Sequence, residues 1–199
     1  MTSTARHPRQ DRTPPGGRAV RRRGLLLLLC LAVLLPAGCG LAGRELGGGR
    51  PGPATGSSLS IPAIGVHARI VGVGLRDDGA MQVPDPRTVG WYRLGPRPGA
   101  PGPAVLVGHV DSRTGPAVFY RLRQLRRGDR IAVRAGDGTT STFVVRRVER
   151  RPKSALPAER IWPRTSSRLL RLITCGGSFD RGAHSYRDNV IVYAALAAS

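Results

Sequence analysis

The sequence predicts a mainly β domain whose strands form a closed or nearly closed barrel. Apolar and β-branched runs recur at short intervals after residue 58, which is typical of many short strands. Turn sequences such as Asp77-Asp78-Gly79 and Asp137-Gly138 separate these runs. Prolines between Pro84 and Pro103 disfavour helix in the first half of the domain. About eight short strands with little helix favour a barrel.

The N-terminal part of the chain predicts export. Residues 1–23 form a basic tail with seven arginines and one aspartate, and residues 24–43 contain no charged residue. An uncharged stretch of 20 residues after an arginine cluster fits either a signal-peptide core or a minimal transmembrane helix. We therefore expect a signal anchor helix or a lipoprotein signal peptide, because Pro36-Ala37-Gly38-Cys39 resembles a lipoprotein cleavage box. Simple secretion stays a third alternative.

A linker and a strand-rich domain follow. Residues 44–58 are rich in Gly, Pro and Ser and lack an apolar period, so we expect a tether before a catalytic domain at 59–199. The strands are expected at 59–61, 66–73, 80–83, 89–92, 104–110, 130–133, 141–147, 169–175 and 189–194. Two short helical pieces are expected, one at 116–124 and one turn at 158–162.

The basic charge of the domain does not by itself predict a nucleic-acid partner. Residues 57–199 contain 23 basic and 10 acidic residues, a net charge of +13, and Lys153 is the only lysine of the chain. Abundant Arg with Ala, Gly and Pro reflects a GC-rich genome, and no nucleic-acid-binding motif accompanies it. A basic surface beside a bilayer or an anionic cell wall has the same electrostatic explanation. No glycine pattern at a strand-to-helix junction supports nucleotide binding.

Cys175 is the only cysteine after the apolar segment. A leftover cysteine in an exported domain is either an intermolecular partner or a reactive thiol, and a strand-end position near a histidine and an arginine favours the second. His109 follows Gly108, which lets another chain approach closely. Arg187 comes twelve residues after Cys175, a spacing that permits a return on an adjacent strand. Thiolate, acid/base and cation are the groups that covalent acyl transfer needs.

At this point the chain resembles a sortase, most closely the class F sortases of actinobacteria. The resemblance covers residues 59–194. It rests on five ordered motifs: Ile61-Pro62-Ala63-Ile64-Gly65-Val66, Gly108-His109-Val110-Asp111, Gly128-Asp129, Leu172-Ile173-Thr174-Cys175 and Arg187 before the last strand. It implies an eight-stranded sortase barrel with a Cys-His-Arg site carried by Cys175, His109 and Arg187.

The resemblance also implies details of the site. Thr174 is expected beside the substrate, where it can assist the oxyanion. The usual Thr-Leu-x-Thr-Cys stands here as Arg171-Leu172-Ile173-Thr174-Cys175, and we expect the arginine to affect strand packing more than chemistry. The calcium site of the family uses clustered acids, which this sequence lacks, so no metal and no cofactor are expected.

The implied activity is that of a membrane-held extracellular thiol protease and transpeptidase. It cleaves a C-terminal sorting signal of Leu-Pro-x-Thr-Gly type between Thr and Gly and passes the acyl group to an amine. The expected partners are secreted proteins that bear the signal, with a peptidoglycan cross-bridge or a pilin lysine as acceptor, or water. Ile161 and Trp162, in the loop at 150–167, are candidates for gripping the apolar Leu-Pro part, although a plain connection explains the loop almost as well.

Three alternatives remain open on the sequence. His184 lies within ten residues of Cys175 and rivals His109 as the acid/base. An L,D-transpeptidase-like wall enzyme is also an exported β-rich cysteine enzyme, but that class has histidine and glycine just before the cysteine, where Ile173-Thr174 stand here. A membrane-tethered, non-catalytic wall-binding protein is the third alternative, with Cys175 as an inert core thiol.

Overall fold

A computed structural model describes residues 56–198, and eight of its strands close into a barrel, as predicted. The order around the barrel is β1-β2-β3-β4-β9-β10-β8-β7. The strands are β1 Ser58–Ile61, β2 Val66–Val73, β3 Val89–Tyr92, β4 Gly102–Val107, β5 Asp111–Ser112, β6 Gly115–Pro116, β7 Arg130–Arg134, β8 Thr140–Pro152, β9 Arg168–Asp180 and β10 Ser185–Leu196. β5 and β6 form a separate small hairpin.

Two parallel pairs shape the topology, because every other neighbouring pair in the barrel is antiparallel. β2 pairs with β3 in parallel, and β4 pairs with β9 in parallel. Parallel neighbours need a long connection between them, and residues 74–88 and 108–167 supply these two connections. The β4–β9 pair brings the segment before His109 beside the segment before Cys175, which lie far apart in the sequence.

The alternation of side chains creates two apolar clusters. The inner cluster fills the barrel with residues such as Ile70, Leu170, Leu172 and Val192. The outer cluster lies on the other face of the sheet, where Val105, Val107, Ile191 and Tyr193 pack with Ile161. Each fully buried Leu, Ile or Val contributes about 1.5–3 kcal/mol of burial free energy, so both faces of this part of the sheet are stabilised.

The expected strand at 80–83 is wrong. This stretch makes only an isolated bridge between Leu75 and Met81, and it belongs to the crossover between the parallel strands β2 and β3. Pro84 and Pro86 cannot donate to a sheet ladder, so the chain stays outside the barrel until Val89.

The expected helix at 116–124 is also wrong, apart from a single 3-10 turn at Leu122–Gln124. The backbone N–H groups of this segment bond sideways: Ala117 donates to Val110 at 3.1 Å and Phe119 donates to His109 at 2.9 Å. These bonds replace the i to i−4 pattern that a helix needs. The other helical expectation is confirmed by α1, Ala158–Ile161.

Several strand bounds differ from those expected. β4 ends at Val107, so Gly108, His109 and Val110 lie beyond it, while β8, β9 and β10 extend further than predicted. Cys175 consequently lies within β9 and not at its end, and the connection between β8 and β9 is 153–167 instead of 150–167. The predicted tail, apolar segment with Cys39, and most of the linker lie outside the described residues. Within residues 56–198, no helix has both the length and the apolar composition needed to cross a membrane.

Candidate active site

Cys175 lies at the point where β9 loses one of its two neighbours. On one side it faces Asn189 of β10, and on the other side the last paired residue of β4 is Val107, opposite Ile173. Cys175 is half-buried and is the one cysteine of the described residues, with a free thiol. Cys175 therefore lies just beyond the end of the ladder between β4 and β9.

The segment that leads to His109 runs along β9 toward Cys175. The Gly108 N–H donates to the Ile173 carbonyl at 3.2 Å, which continues the parallel register beyond the end of β4. The pairing of Val107 with Ile173 and this bond bring the chain that leads to His109 beside the chain that leads to Cys175. The imidazole and the thiol thus belong to adjacent, parallel segments.

Gly108 is needed for this arrangement. A Cβ atom on Gly108 would lie 2.7 Å from side-chain atoms of both Val118 and Phe119, far inside a normal contact. The sideways bond from the Phe119 N–H to the His109 carbonyl depends on the same close approach. The connection after β4 therefore folds tightly under His109 and fixes its backbone.

Thr174 is buried, and its hydroxyl is used inside the protein. The Thr174 Oγ1 donates to the Gly108 carbonyl at 2.8 Å, and the side chain is only 4% exposed. This bond joins β9 directly to the segment that carries His109. It fixes the two strands at the level of the candidate catalytic pair.

Arg187 lies on the neighbouring strand, but its side chain is directed away from Cys175. The β9–β10 ladder shifts register between Tyr186 and Asp188, so Arg187 occupies a bulge. Its guanidinium pairs with the Asp180 carboxylate at 3.1 Å and is largely exposed. The backbone N–H of Ala183 and then the Arg187 guanidinium lower the pKa of Asp180. Cys175, His109 and Arg187 are thus on three adjacent segments, of which the first two lie side by side.

A cleft of about 530 Å³ opens at Cys175. The residues that line it are Val110, Phe119, Tyr120, Arg123, Val148, Glu149, Arg150, Thr174, Cys175, Gly176, Gly177, Tyr186 and Val190. His109 and Arg187 are not in this lining, whereas Arg123 and Arg150 are. The sequence analysis missed Tyr120, Arg123, Arg150 and Tyr186, because nothing in their local sequence distinguishes them from surface residues.

Tyr186 connects β10 to the hairpin that follows His109. Its hydroxyl donates to the Asp111 carboxylate, and that bond, followed by burial, raises the pKa of Tyr186 to about 12. Tyr186 therefore stays a neutral donor at ordinary pH. Since Asp111 is two residues after His109, this bond and the Thr174 bond hold the His109 segment from both sides.

Ile161 and Trp162 differ in their surroundings. Ile161 is fully buried in the outer cluster, so its side chain has no surface to offer a ligand. Trp162 is 41% exposed. Of the two loop residues considered for the apolar part of a substrate, only Trp162 is available in this conformation.

His184 lies in the turn that joins β9 and β10, with a positive φ of 46°. The pair Ser185 and Asp180 closes this hairpin, five residues along β9 from Cys175. At roughly 3.3 Å per residue, the turn is about 16 Å along the strand from the thiol. His184 is therefore a poorer acid/base candidate than His109.

A buried polar group of residues lies on the outer face of β8, β9 and β10, and we call it the Glu149 cluster. The Glu149 carboxylate accepts from the Tyr193 hydroxyl at 2.6 Å. It pairs with Arg147 at 2.7 Å, Arg151 at 3.3 Å and Arg160 at 3.4 Å. Burial opposes ionisation, but the Tyr193 bond and the arginines outweigh it and hold the pKa of Glu149 below its ordinary value.

Arg171 completes this cluster. Its buried guanidinium lies 4.8 Å from the centre of the Tyr193 ring and donates to the carbonyls of Arg160, Leu170 and Ala194. Burial lowers the pKa of Arg171. Because Arg160 is in α1, Arg171 ties the 153–167 connection to the barrel. This agrees with the expectation that an arginine at this position affects packing.

Among residues 56–198, no three His, Cys, Asp or Glu side chains come together as a possible metal site. The Glu149 carboxylate pairs with three arginines and accepts from one tyrosine, so guanidinium groups balance its charge.

Comparisons with solved structures find the same fold in several sortases. Sortase A from Corynebacterium diphtheriae, as a lid mutant, is 20% identical with a TM-score of 0.57, over 72% of this chain and 70% of that one. A Clostridium perfringens sortase D5 transpeptidase is 21% identical with a TM-score of 0.53, over 71% and 78%. Sortase C-1 from Actinomyces oris is 22% identical with a TM-score of 0.54, over 72% and 74%.

The sequence comparisons give the family. No curated protein sequence matches the chain significantly. The family profile described as Sortase domain matches residues 59–197, which span the whole barrel from β1 to β10. This match favours neither the wall-binding alternative nor the L,D-transpeptidase alternative. The chain belongs to the sortase family, whose members are cysteine transpeptidases.

Proposed function

We propose that this protein cleaves a C-terminal sorting signal of Leu-Pro-x-Thr-Gly type and transfers the new acyl end to an amine. The observation that supports the proposal is the β4–β9 pairing, which brings the segment that leads to His109 beside the segment that leads to the free thiol of Cys175. A thiol nucleophile with an adjacent imidazole is the arrangement of covalent acyl transfer. Sortase membership supports the same chemistry.

In the first half-reaction, the Cys175 thiolate attacks the carbonyl carbon of the substrate threonine. The C–N bond to glycine breaks, the amine leaves with a proton from the His109 imidazolium, and a thioester remains on the sulfur. In the second half-reaction, an amine attacks the thioester and gives a proton to neutral His109. The C–S bond breaks, which restores the thiolate and the imidazolium.

Arg187 is proposed to bind the oxyanion after it changes partner. In this structure its guanidinium pairs with Asp180, and its side chain is 67% exposed. An exposed ion pair contributes only about 0–1 kcal/mol, so the exchange of Asp180 for a substrate oxygen costs little. Thr174, whose hydroxyl bonds to Gly108, would hold the sulfur and the imidazole in register.

Trp162 is proposed to contact the apolar Leu-Pro part of the signal, since it is an exposed large apolar residue next to α1 in the 153–167 connection. Ile161, one residue earlier, would support the connection from the core. The class F assignment, the secreted clients, the peptidoglycan or pilin amine and the placement outside a membrane held by residues 24–43 belong to the same proposal.

The decisive experiment incubates the purified protein with a library of sorting peptides and candidate amines and identifies the products by mass spectrometry. We expect a thioester adduct on Cys175 and an amide product with at least one amine. Hydrolysis without any amide would make the enzyme an endopeptidase. No cleavage, together with a Cys175 that resists a small thiol reagent in the folded protein, would contradict the proposal and favour a binding protein.

Paired substitutions separate the roles. Cys175→Ala removes the adduct, His109→Ala lowers the rate by about 10²–10⁴ and Arg187→Ala by about 10²–10³. His184→Ala and Arg181→Ala are the matched controls in the hairpin turn, and both should keep the rate. A large loss with His184→Ala and none with His109→Ala would transfer the acid/base role. Asp180→Ala releases Arg187 and should maintain or raise the rate.

A further inference from the structure

A second arginine-bearing surface lies on the outside of β1, β2 and β7, away from the cleft. Exposed and buried residues alternate along these strands, so Arg69, Arg130 and Arg134 point outward together with His67. Arg69 and Arg134 are both paired through Ser58, which lies between them on β1. We call these four side chains the basic face.

The basic face has no acid to neutralise it. Residues 58–61, 66–73, 130–134 and 140–146 contain no Asp or Glu, and no ion pair in the described part of the chain involves its three arginines. The nearest acids along β7 are used within their own turns. Asp129 accepts from the Arg126 N–H at 2.7 Å, and Asp137 accepts from the Thr139 hydroxyl at 2.7 Å.

The positive surface continues beyond the strands. A groove of about 390 Å³ borders the basic face at His67, and its lining includes Arg87 and Arg121 but no acidic residue. Unpaired charges of one sign that lie close together repel each other, and a partner of opposite charge relieves this repulsion. The partner of this surface is therefore anionic.

The geometry of the basic face fits a plane of charges. Arg69 and Arg134 are two strand spacings apart, about 10 Å, and Arg130 is about 13 Å further along β7. Small side chains separate them, namely Ser58, Ser60 and Ala132. A broad, shallow array of this kind matches the headgroup layer of a bilayer, which presents many anions in one plane.

The path of the chain points to the same partner. β1 begins at Ser58, so the chain enters the barrel between Arg69 and Arg134. The uncharged apolar stretch at 24–43 ends only a short distance earlier in the sequence. Cys175 lies on β9, which is four strands from β1 in either direction around the eight-strand barrel. Contact through the basic face thus leaves the cleft free.

From these observations we propose that the basic face binds anionic phospholipid headgroups. The proposal goes beyond acyl transfer and is independent of it. Each arginine near an anionic bilayer contributes about fivefold to the partition onto the membrane, so the three arginines together contribute about 100-fold. Such binding is weak in isolation and orients a domain that is already held nearby.

The test uses a fragment of residues 56–199, which contains the complete barrel and both apolar clusters and lacks the apolar N-terminal stretch. Co-sedimentation is measured with vesicles of phosphatidylcholine alone and with vesicles that also contain phosphatidylglycerol. We expect binding only to the anionic vesicles, loss at high salt, and a loss of about 100-fold in Arg69→Gln/Arg130→Gln/Arg134→Gln.

The matched control is Arg93→Gln/Arg168→Gln/Arg181→Gln, which removes the same charge from exposed positions outside the basic face. It should keep most of the binding, and thermal unfolding confirms that both variants fold. Equal losses in the two variants would contradict the proposal, because net charge alone would then explain binding. Binding to soluble polyphosphate without binding to anionic vesicles would contradict it as well, in favour of a polymer partner.

Discussion

Two arginine-bearing outer faces of the same barrel have opposite environments. On the outer face of β8, β9 and β10, two arginines of β8 and one of α1 surround the buried Glu149 carboxylate, and a fourth, Arg171, is buried against Tyr193. On β1, β2 and β7, the arginines of the basic face are exposed and have no acid. Arginines that pair with a buried carboxylate thus become part of the folded structure, whereas arginines without an acid nearby remain exposed surface charges.

The consequence for function follows from what each face contacts. The Glu149 cluster holds α1 through the side chain and the carbonyl of Arg160, and it thereby orders the connection that carries Trp162. Within the described residues, the arginines of the basic face form no ion pair, so they are available to a partner. The arginines of the Glu149 cluster thus bind groups within the protein, whereas those of the basic face are free to bind a partner.

Removing the Glu149 carboxylate should have the largest effect on stability. Glu149→Gln keeps the shape of the side chain but leaves Arg147, Arg151 and Arg160 facing one another without an anion. We expect a loss of about 2–4 kcal/mol in the free energy of unfolding, since a partner removed from a buried pair leaves uncompensated charge. Urea unfolding measures the loss.

Glu159→Gln is the matched control, because Glu159 is exposed on α1 and makes no ion pair in the described part of the chain. It should stay within about 0.5 kcal/mol of the wild type. If the two variants unfold at the same urea concentration, Glu149 does not organise the arginines around it.

Arg171→Met tests whether the cluster anchors α1. Methionine keeps apolar volume but removes the donors to Arg160, Leu170 and Ala194. We expect a loss of about 1–2 kcal/mol in the free energy of unfolding. The three carbonyls lose their donor, which is unfavourable, but the substitution also removes a buried charge, which partly offsets this cost. Hydrogen exchange should accelerate at Trp162, whose N–H bonds to Ala158.

Arg168→Met, at the exposed start of β9, is the control for this effect. It removes the same kind of side chain from the same strand without touching α1. Unchanged exchange at Trp162 in Arg171→Met would show that Arg171 does not hold the connection.

Much of the fold could be predicted from local sequence, but the cluster could not. The apolar run that ends at Cys175 indicates a strand, and its spacing from Arg187 correctly indicates adjacent strands, because both are local signals. Glu149 looked isolated among arginines in the sequence. Its partner Tyr193 comes from another strand, so only the pairing of β8 with β10 reveals the bond.

The errors in the predicted fold have the same origin. The helix expected at 116–124 loses to sideways bonds with Val110 and the His109 carbonyl, which no local propensity records. The bulge that directs Arg187 toward Asp180 depends on the register of two strands. Sequence patterns thus indicate which residues share a strand, whereas long-range pairing decides what their side chains contact.

Acid titration gives a smaller effect with a defined sign. The pKa of Glu149 is lowered in the folded state, so its stabilisation is complete above the unfolded pKa and is lost as the pH falls through the folded value. The gap in stability between wild type and Glu149→Gln should stay constant from pH 7 to about 5 and narrow below about pH 4.3. Urea midpoints across this range measure it, and a gap that widens in acid would reverse the assignment.

The smallest effect on the free energy of unfolding is expected for the arginines of the basic face, and its sign should be opposite to that for the Glu149 cluster. Arg69→Gln, Arg130→Gln and Arg134→Gln remove exposed charges without ion pairs, so each should change the free energy of unfolding by less than about 0.5 kcal/mol. Because removal also relieves repulsion within a domain that carries 23 basic and 10 acidic residues, the change should be toward greater stability. Arg160→Gln, which loses its pair with Glu149, should change in the opposite direction. A clear loss of stability from the face variants would mean that these arginines also serve the fold.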